Sequence, residues 1–496
     1  MINDNLYLFH LTHDYLEFRF PELQVICESI GHSNCITSHT YTDESPLFTC
    51  NLPSDKIANQ IGERSFLLKS ISKLISQGNS LDDLIANIEQ ENNQMDLTKG
   101  DTFKIDVYSY GKIYSQEEKL QKIEKLVDAL KFEEKELKVC LNDKLVKHKF
   151  FYAEEWIQSD EKFVHEFDKV NDGTETTKAP STKYLRRCYI GKFLCNGQSS
   201  VVFKYNLKDR GFIGNTSMDP LLSLVMANMG NVNSTSFVYD PFVGTGSLLV
   251  GAAHCGAHVA GADLDYNLVH SRGLSSRMGQ KYRRKDETIR NNLKQYGFES
   301  KYLDILAADF SSKYIRDNFK FDAIITDPPY GIREKAKKLG SKKQTKTLEN
   351  NDEIIVEDDK HGNFVKHIKY NLGDIFYDLL DFASKHLVLE GRLVFWLPVY
   401  MEEDRNKLSL EEIRDILVKF IPKHEDLILS SFSEQRLTKF TSRLLVTMKK
   451  KTDKNDNLTN LDRLAINDAF NTELHQSNRN TDILNQFRDK YFAPKK

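Results

Sequence analysis

At 496 residues, 40% hydrophobic and 28% charged, the chain has the composition of a soluble globular protein and the length of roughly two to four domains. Most of the chain is therefore able to bury a core, and disorder can only be local. A net charge of -3 gives no global attraction to nucleic acid or to an anionic membrane, so a polyanionic partner has to meet a local basic patch.

Seven cysteines, at 27, 35, 50, 140, 188, 195 and 255, form no C-x-x-C pair and are odd in number. This argues for free thiols in a reducing compartment and against a disulfide frame or a zinc site. No basic stretch followed by an apolar core marks a secretory signal at the N-terminus. The longest uncharged run, Pro241 to Ala262, is interrupted by glycines, Thr245, Ser247, His254 and His258, which argues against a membrane helix. A cytoplasmic protein without a membrane partner is expected.

Residues 1–167 alternate short apolar runs (LYLFHL, PLFTCNL, TFKIDVYSY) with helical patterns (ELQVICESIG, EEKLQKIEKLVDALKF), the signature of α/β or α+β layering. Residues 168–183 lack apolar periodicity and read as a linker loop. In 184–213, YLRRCYIGKFL and SSVVFKYNL flank the turn-prone Cys195-Asn196-Gly197 and predict a β-hairpin. From 214 to 449 apolar strands alternate with helices, predicting an α/β doubly wound, mostly parallel sheet. Residues 450–496 read as a polar tail with apolar anchors in NQFRDKYF.

In doubly wound sheets chemistry is sought in the turns after the strands. The first, Asp240-Pro241-Phe242-Val-Gly244-Thr-Gly246-Ser, permits tight curvature, but Leu249 stands where a dinucleotide fingerprint needs its third glycine, and no G-K-[ST] follows. The next strand ends on Asp263, placed to bond ribose hydroxyls, and the third on Asp309-Phe310, an acceptor for an exocyclic amine beside an apolar wall. A ligand with adenine and ribose but no pyrophosphate fits, and S-adenosyl-L-methionine is such a ligand. A plain tight turn and a helix cap remain the structural alternatives for these pieces taken singly.

The fourth strand delivers Ile-Thr-Asp327-Pro328-Pro329-Tyr330 to the same rim. The two prolines fix their φ angles and remove N–H donors, which leaves a stiff row of acceptors. An exocyclic nucleobase amine is a poor nucleophile until acceptors hold its hydrogens; the Asp327 carboxylate and the Pro328 carbonyl are candidates, with Tyr330 offering a π face to an unstacked base. Arg333 to Lys346 then carries seven Lys or Arg against one acid. Arg333, Lys335, Lys337, Lys338, Lys342 and Lys343, with Arg283 and Arg284 upstream, are candidate phosphate contacts, and equally a solvated surface.

Taken together, DPFVGTGS, GADLDYN, NNLKQYG, DAIITDPPYGIRE and GNTSMD resemble the catalytic subunits of eukaryotic tRNA (guanine-10-N2)-methyltransferases. LEFRFPEL, IGKFLCNGQ, GRLVFWLPVY and SRLLVTM extend the resemblance along most of the chain. It implies an N-terminal THUMP-containing RNA-binding region, a Rossmann-like methyltransferase domain with an antiparallel last strand, tRNA as substrate and a small zinc-binding activator subunit. Carried onto this sequence, it puts Asp240, Gly244, Gly246, Asp263 and Asp309 around the cofactor. Asn215, Thr216 and Ser217 then close over that cofactor, and Asp327 to Tyr330 hold the guanine. An adenine-N6 methyltransferase and a catalytically inactive tRNA-binding module are the competing readings.

Overall fold

A computed structural model describes residues 5–37, 41, 44–91, 96–158, 183–332, 336–340, 354–357, 365–401, 405–451, 484, 487, 490 and 491. The chain divides into two units, Met1–Val201 and Val202–Lys496.

The first unit runs β1 (Leu6–Leu11), α1 (Leu16–Ser29), β2 (Leu47–Asn51), α2 (Asp55–Gly62), β3 (Leu68–Gly78), α3 (Leu81–Glu91), β4 (Thr102–Tyr110), α4 (Gln116–Ala129), β5 (Lys138–Val139), β6 (His148–Gln158) and β7 (Lys183–Asn196). Its strands form one sheet in the order β2-β1-β3-β7-β6-β4-β5. Phe9, Ile26, Phe48, Ile61 and Ile71 make one core of this unit, and Ile88, Ile105, Leu126, Phe150 and Ile190 a second. Helix α4 begins at a reciprocal capping box between Ser115 and Glu118. The fully buried Glu154 carboxylate accepts from Lys122 Nζ at 2.6 Å, from Trp156 Nε1 at 2.8 Å and from the Tyr114 and Tyr152 hydroxyls, so its charge enters the core with partners.

The expected hairpin over 184–213 is not formed. Its first arm is β7, already paired on both sides, with β3 and with β6, so no edge is left for a returning strand. The second arm begins as a 3₁₀ helix, Ser199–Tyr205. Between them Gly197 donates its N–H to Lys69 O at 2.8 Å, and a Cβ there would lie 2.0 Å from Leu68 O. The glycine serves close packing against β3, not a reversal. The linker 168–183 lies outside the described residues except for Lys183, which opens β7.

In the second unit α5 (Pro220–Met229) precedes β8 (Phe237–Asp240), α6 (Ser247–His254), β9 (His258–Asp263), α7 (Tyr266–Val269), α8 (Ile289–Gln295), β10 (Tyr302–Ala307) and β11 (Phe321–Thr326). The chain continues through β12 (Lys337–Leu339), β13 (Ile354–Glu357), β14 (Val365–Lys369), α9 (Leu372–His386), β15 (Leu387–Tyr400), α10 (Leu410–Val418), β16 (Leu427–Arg436) and β17 (Thr441–Lys450). The main sheet has the order β10-β9-β8-β11-β15-β17-β16; β8 to β11 and β15 run parallel, and β17 lies antiparallel between β15 and β16. The α/β class and the antiparallel last strand are as expected.

Every residue of β15 from Gly391 to Val399 is buried, which explains why GRLVFWLPV reads as a continuous apolar run instead of an alternation. Leu484 and Phe487, from the polar tail, are buried in the same core as Phe395 and Leu444, with Tyr491 packed beside them. Part of the basic stretch after β11 is not a plain loop: β12, β14 and β13 make a separate three-stranded antiparallel sheet. The uncharged run 241–262 is spent on a turn, α6 and most of β9, and no described helix is long and apolar enough to cross a membrane.

Candidate active site

Strands β8 and β11 are parallel neighbours, although β9 and β10 intervene in sequence, so the sheet order reverses between them and their C-terminal ends open on a crevice. Asp240, 1% exposed, closes this junction: its Oδ1 accepts from Thr326 Oγ1 at 2.6 Å and from Phe242 N at 3.0 Å. Burial, reinforced by the negative charges of Asp263 and Asp327, pushes its carboxyl up to about 7.

Pro241 is buried behind the glycine turn, which carries Gly244 at φ 50° and Gly246 at φ 77°. A Cβ on Gly246 would lie 2.7 Å from Ile289 Cγ2, whereas nothing stands within 4 Å of one built on Gly244. The second glycine therefore packs the helix, and the first leaves backbone open to a ligand. Asp263 reaches back from β9: Oδ2 accepts from Gly244 N and Oδ1 from Asp265 N, each at 2.9 Å. Both oxygens are thereby fixed in direction, and a carboxylate oxygen can take more than one donor.

Beyond β10, Asp309 Oδ1 accepts from Ser311 N at 2.9 Å and Ser311 Oγ at 2.8 Å, and Oδ2 accepts from Leu339 N at 2.7 Å. The rings of Phe310 and Phe242 lie 4.7 Å apart and wall this part of the crevice. In the segment before α5, Ser217 Oγ lies 2.7 Å from Thr245 Oγ1 and accepts from Gly214 N at 2.8 Å, tying that segment to the glycine turn, while Asn215 and Thr216 stand exposed. Open space over Gly244 and directed carboxylates at three successive strand ends suit ribose hydroxyls and an adenine amine, not a polyphosphate.

Asp327, Pro328, Pro329 and Tyr330 follow Thr326 directly. The Tyr330 hydroxyl donates to Asp327 Oδ1 at 2.5 Å, and Arg443 Nη1 of β17 stands 3.7 Å from Oδ2. Burial raises the Asp327 carboxyl above its ordinary range, against the pull of Arg443 and the Tyr330 hydrogen bond. Burial and the Asp327 charge raise the Tyr330 hydroxyl well above its own.

The family described as the Tmrp11 THUMP N-terminal domain matches residues 5–171, and the RMKL-like methyltransferase domain matches residues 208–355. The Rattus norvegicus protein tRNA (guanine(10)-N(2))-methyltransferase TRMT11 is 38% identical over 494 residues, covering 99% of this chain and 95% of its own length. Its Homo sapiens counterpart is 37% identical over 493 residues with the same coverages, and that of Dictyostelium discoideum 32% over 480 residues, covering 93% and 85%. This chain belongs to the TRMT11 family.

In this TRMT11-family chain the residues from Asn215 to Tyr330 named above all fall inside the methyltransferase match. The basic candidates are scattered. Lys337 and Lys338 lie on β12, with Lys338 Nζ 4.7 Å from the centre of the Tyr370 ring. Arg283 donates to Arg272 O at 3.0 Å, and Arg284 Nε stands 3.4 Å from Glu287 Oε1, so both engage their own segment. Arg333, Lys335, Lys342 and Lys343 lie outside the described residues.

Four residues at the TRMT11-type site escaped the sequence reading: Thr326, Leu339, Trp396 and Arg443. The last had a signal, a lone cation ahead of the apolar run LLVTM in a strand that had to be buried.

Proposed function

We propose that this chain is the catalytic subunit of a cytoplasmic enzyme that transfers a methyl group from S-adenosyl-L-methionine to the exocyclic N2 of guanosine at position 10 of tRNA. The observation that carries the reading is the junction of two turns. The glycine turn after β8 and D-P-P-Y after β11 are locked together by the 2.6 Å bond from Thr326 to Asp240, so a cofactor cradle and a row of amine acceptors share one rim.

Gly244, Asp263, Asp309 and Phe310 would hold the cofactor. When bound, it supplies a methyl carbon on a sulfonium sulfur, and the carbon–sulfur pair stays on sulfur as the new carbon–nitrogen bond forms. Asp327 and the Pro328 carbonyl accept the two N–H groups of the guanine amine, localising its lone pair and aiming it. Once methylated, the nitrogen is strongly acidic, so even a weak base such as Asp327 suffices to take its proton on the way to water. The Tyr330 ring takes the face of the unstacked base, a contact worth about 1–3 kcal/mol.

A tRNA substrate is supported by the family match over residues 5–171. A small activator subunit fits the edge of the catalytic sheet: among the described residues β10 pairs on one side only, and Leu303 and Leu306 on it are exposed, the kind of edge to which a partner adds a strand.

The test is tritiated methyl incorporation by the full chain into undermethylated tRNA and into duplex DNA, followed by mass spectrometry of the nucleosides. N2-methylguanosine from tRNA with wild type, lost in Asp327→Ala while tRNA affinity persists, supports the assignment. N6-methyladenine as product, or equal incorporation by both proteins, overturns it.

A further inference from the structure

Asp327 meets its counter-charge across the sheet. Arg443 sits on β17, opposite Pro398 of β15 and Gln435 of β16. Its guanidinium carbon lies 4.0 Å from the centre of the ring of Trp396, a side chain that is fully buried. Nε donates to Gln435 Oε1 at 2.7 Å, and Nη2 reaches Met218 Sδ at 3.8 Å, next to Ser217 in the segment tied to the glycine turn. The Arg443 side chain is 15% exposed and that of Asp327 26%.

A stacked, hydrogen-bonded guanidinium has few rotamers left, so Arg443 presents a charge at a fixed point. It stands on the Oδ2 side of Asp327, while Tyr330 holds Oδ1. A carboxylate gripped on one oxygen only can rotate. Hydrogen-bonded through Oδ1 and drawn through Oδ2 toward a fixed cation 3.7 Å away, an ion pair and not a hydrogen bond, it has one favoured plane. We propose that Arg443 is a positioning residue for methyl transfer, fixing the plane of the Asp327 carboxylate so that it accepts the amine hydrogen in line with the methyl donor.

The inference rests on the functional reading above. Other charged or titratable groups that act on this carboxylate are Tyr330, beside it on the same turn, and Asp240, at the end of β8. They are retained in every variant below, so changes are referred to Arg443 alone.

The experiment measures single-turnover methyl transfer to undermethylated tRNA by the full chain, with cofactor and tRNA affinities determined separately. The wild-type rate by itself tests the functional reading; ratios between variants test this inference. Arg443→Gln, which keeps a planar polar group but removes the charge and shortens the side chain, should lower the transfer rate about 10- to 100-fold, with cofactor and tRNA affinities within about 3-fold of wild type. Arg443→Lys, which restores charge without the planar fork, should recover part of that loss. In the Asp327→Asn background, adding Arg443→Gln should cost less than about 2-fold more, because the charge it served is already gone. A full-rate Arg443→Gln, or a loss that multiplies unchanged in the Asp327→Asn background, overturns the proposal. A loss confined to cofactor affinity also does, since that would mark a structural support of the Met218 segment. If Arg443→Gln lowers the melting temperature below the assay range, the comparison of Arg443→Lys with wild type in the two Asp327 backgrounds decides by the same criteria.

Discussion

The Tyr330 hydroxyl is anchored on Asp327, the residue three positions before it, 2.5 Å from Oδ1. In the proposed complex, the ring that takes the nucleobase is thus tethered to the carboxylate that would receive the base's amine. Removing the ring and removing the tether are separable. Tyr330→Ala should reduce the transfer rate by about 10- to 100-fold, the value of about 1–3 kcal/mol of stacking, with cofactor affinity unchanged. Tyr330→Phe, which keeps the ring but releases Oδ1, should lose part of the rate and less than the Ala variant. Single-turnover rates beside calorimetric titration of the cofactor distinguish the two; an Ala variant that turns over normally but no longer binds cofactor would contradict the stacking role.

Asp263 accepts the Gly244 amide and, in the proposed complex, the ribose hydroxyls. Asp263→Ala removes a charged acceptor worth about 1.5–3 kcal/mol per hydrogen bond, so cofactor affinity should fall roughly 10- to 100-fold. Asp263→Asn should fall less. Equilibrium dialysis with labelled cofactor measures both, and affinities equal to wild type would remove Asp263 from the site.

Asp240 gives the catalytic unit a pH signature. Its folded-state value of about 7 lies above the ordinary aspartate value of 3.8, so between these the native state holds a proton that the unfolded chain gives up. The associated stability is complete below pH about 4 and drains away as pH rises toward and through 7. Over that window the loss is on the order of a few kcal/mol. Asp240→Asn abolishes the titration, so the melting temperature of the variant relative to wild type should rise from pH 5 to pH 8. A difference that stays flat over that interval would show that Asp240 is ionised in the native protein at every pH tested.

Leu484 and Phe487 lie in the catalytic core, 4% and 5% exposed. Phe487→Ala should cost about 3–5 kcal/mol and Leu484→Ala about 2–5 kcal/mol, read as a lower urea midpoint with an unchanged slope. Deletion of residues 484–496 should destabilise at least as much; an unaltered midpoint would mean that the segment is dispensable to the unit.

What was legible in the sequence was local. Asp240 and Asp263 end β8 and β9, and Asp327 and Asp309 follow the ends of β11 and β10 by one and two residues; the apolar run before each, followed by turn residues, marks a strand exit without reference to any other part of the chain. Closure of the site was not legible, because it depends on partners far apart in sequence: Thr326 on Asp240, Leu339 N on Asp309, Arg443 on Asp327. Hydrophobic periodicity carries no record of which strand lies beside which. The hairpin error has the same origin: Cys195-Asn196-Gly197 has turn chemistry, but β7 had already spent both its edges on β3 and β6. The tail's anchors were visible as Leu, Phe and Tyr in a polar stretch, since isolated large apolar residues in such a context need somewhere to go.

Among the described residues strand β17 is the last long element, and it slots between two strands that precede it. A polypeptide still emerging from the ribosome contains every glycine-bearing turn and D-P-P-Y before the strand that carries Arg443 has been made. A product truncated before residue 441 would leave β15 and β16 without the strand that joins them and the core without Leu484 and Phe487, so the turns would lack the sheet that holds them in register.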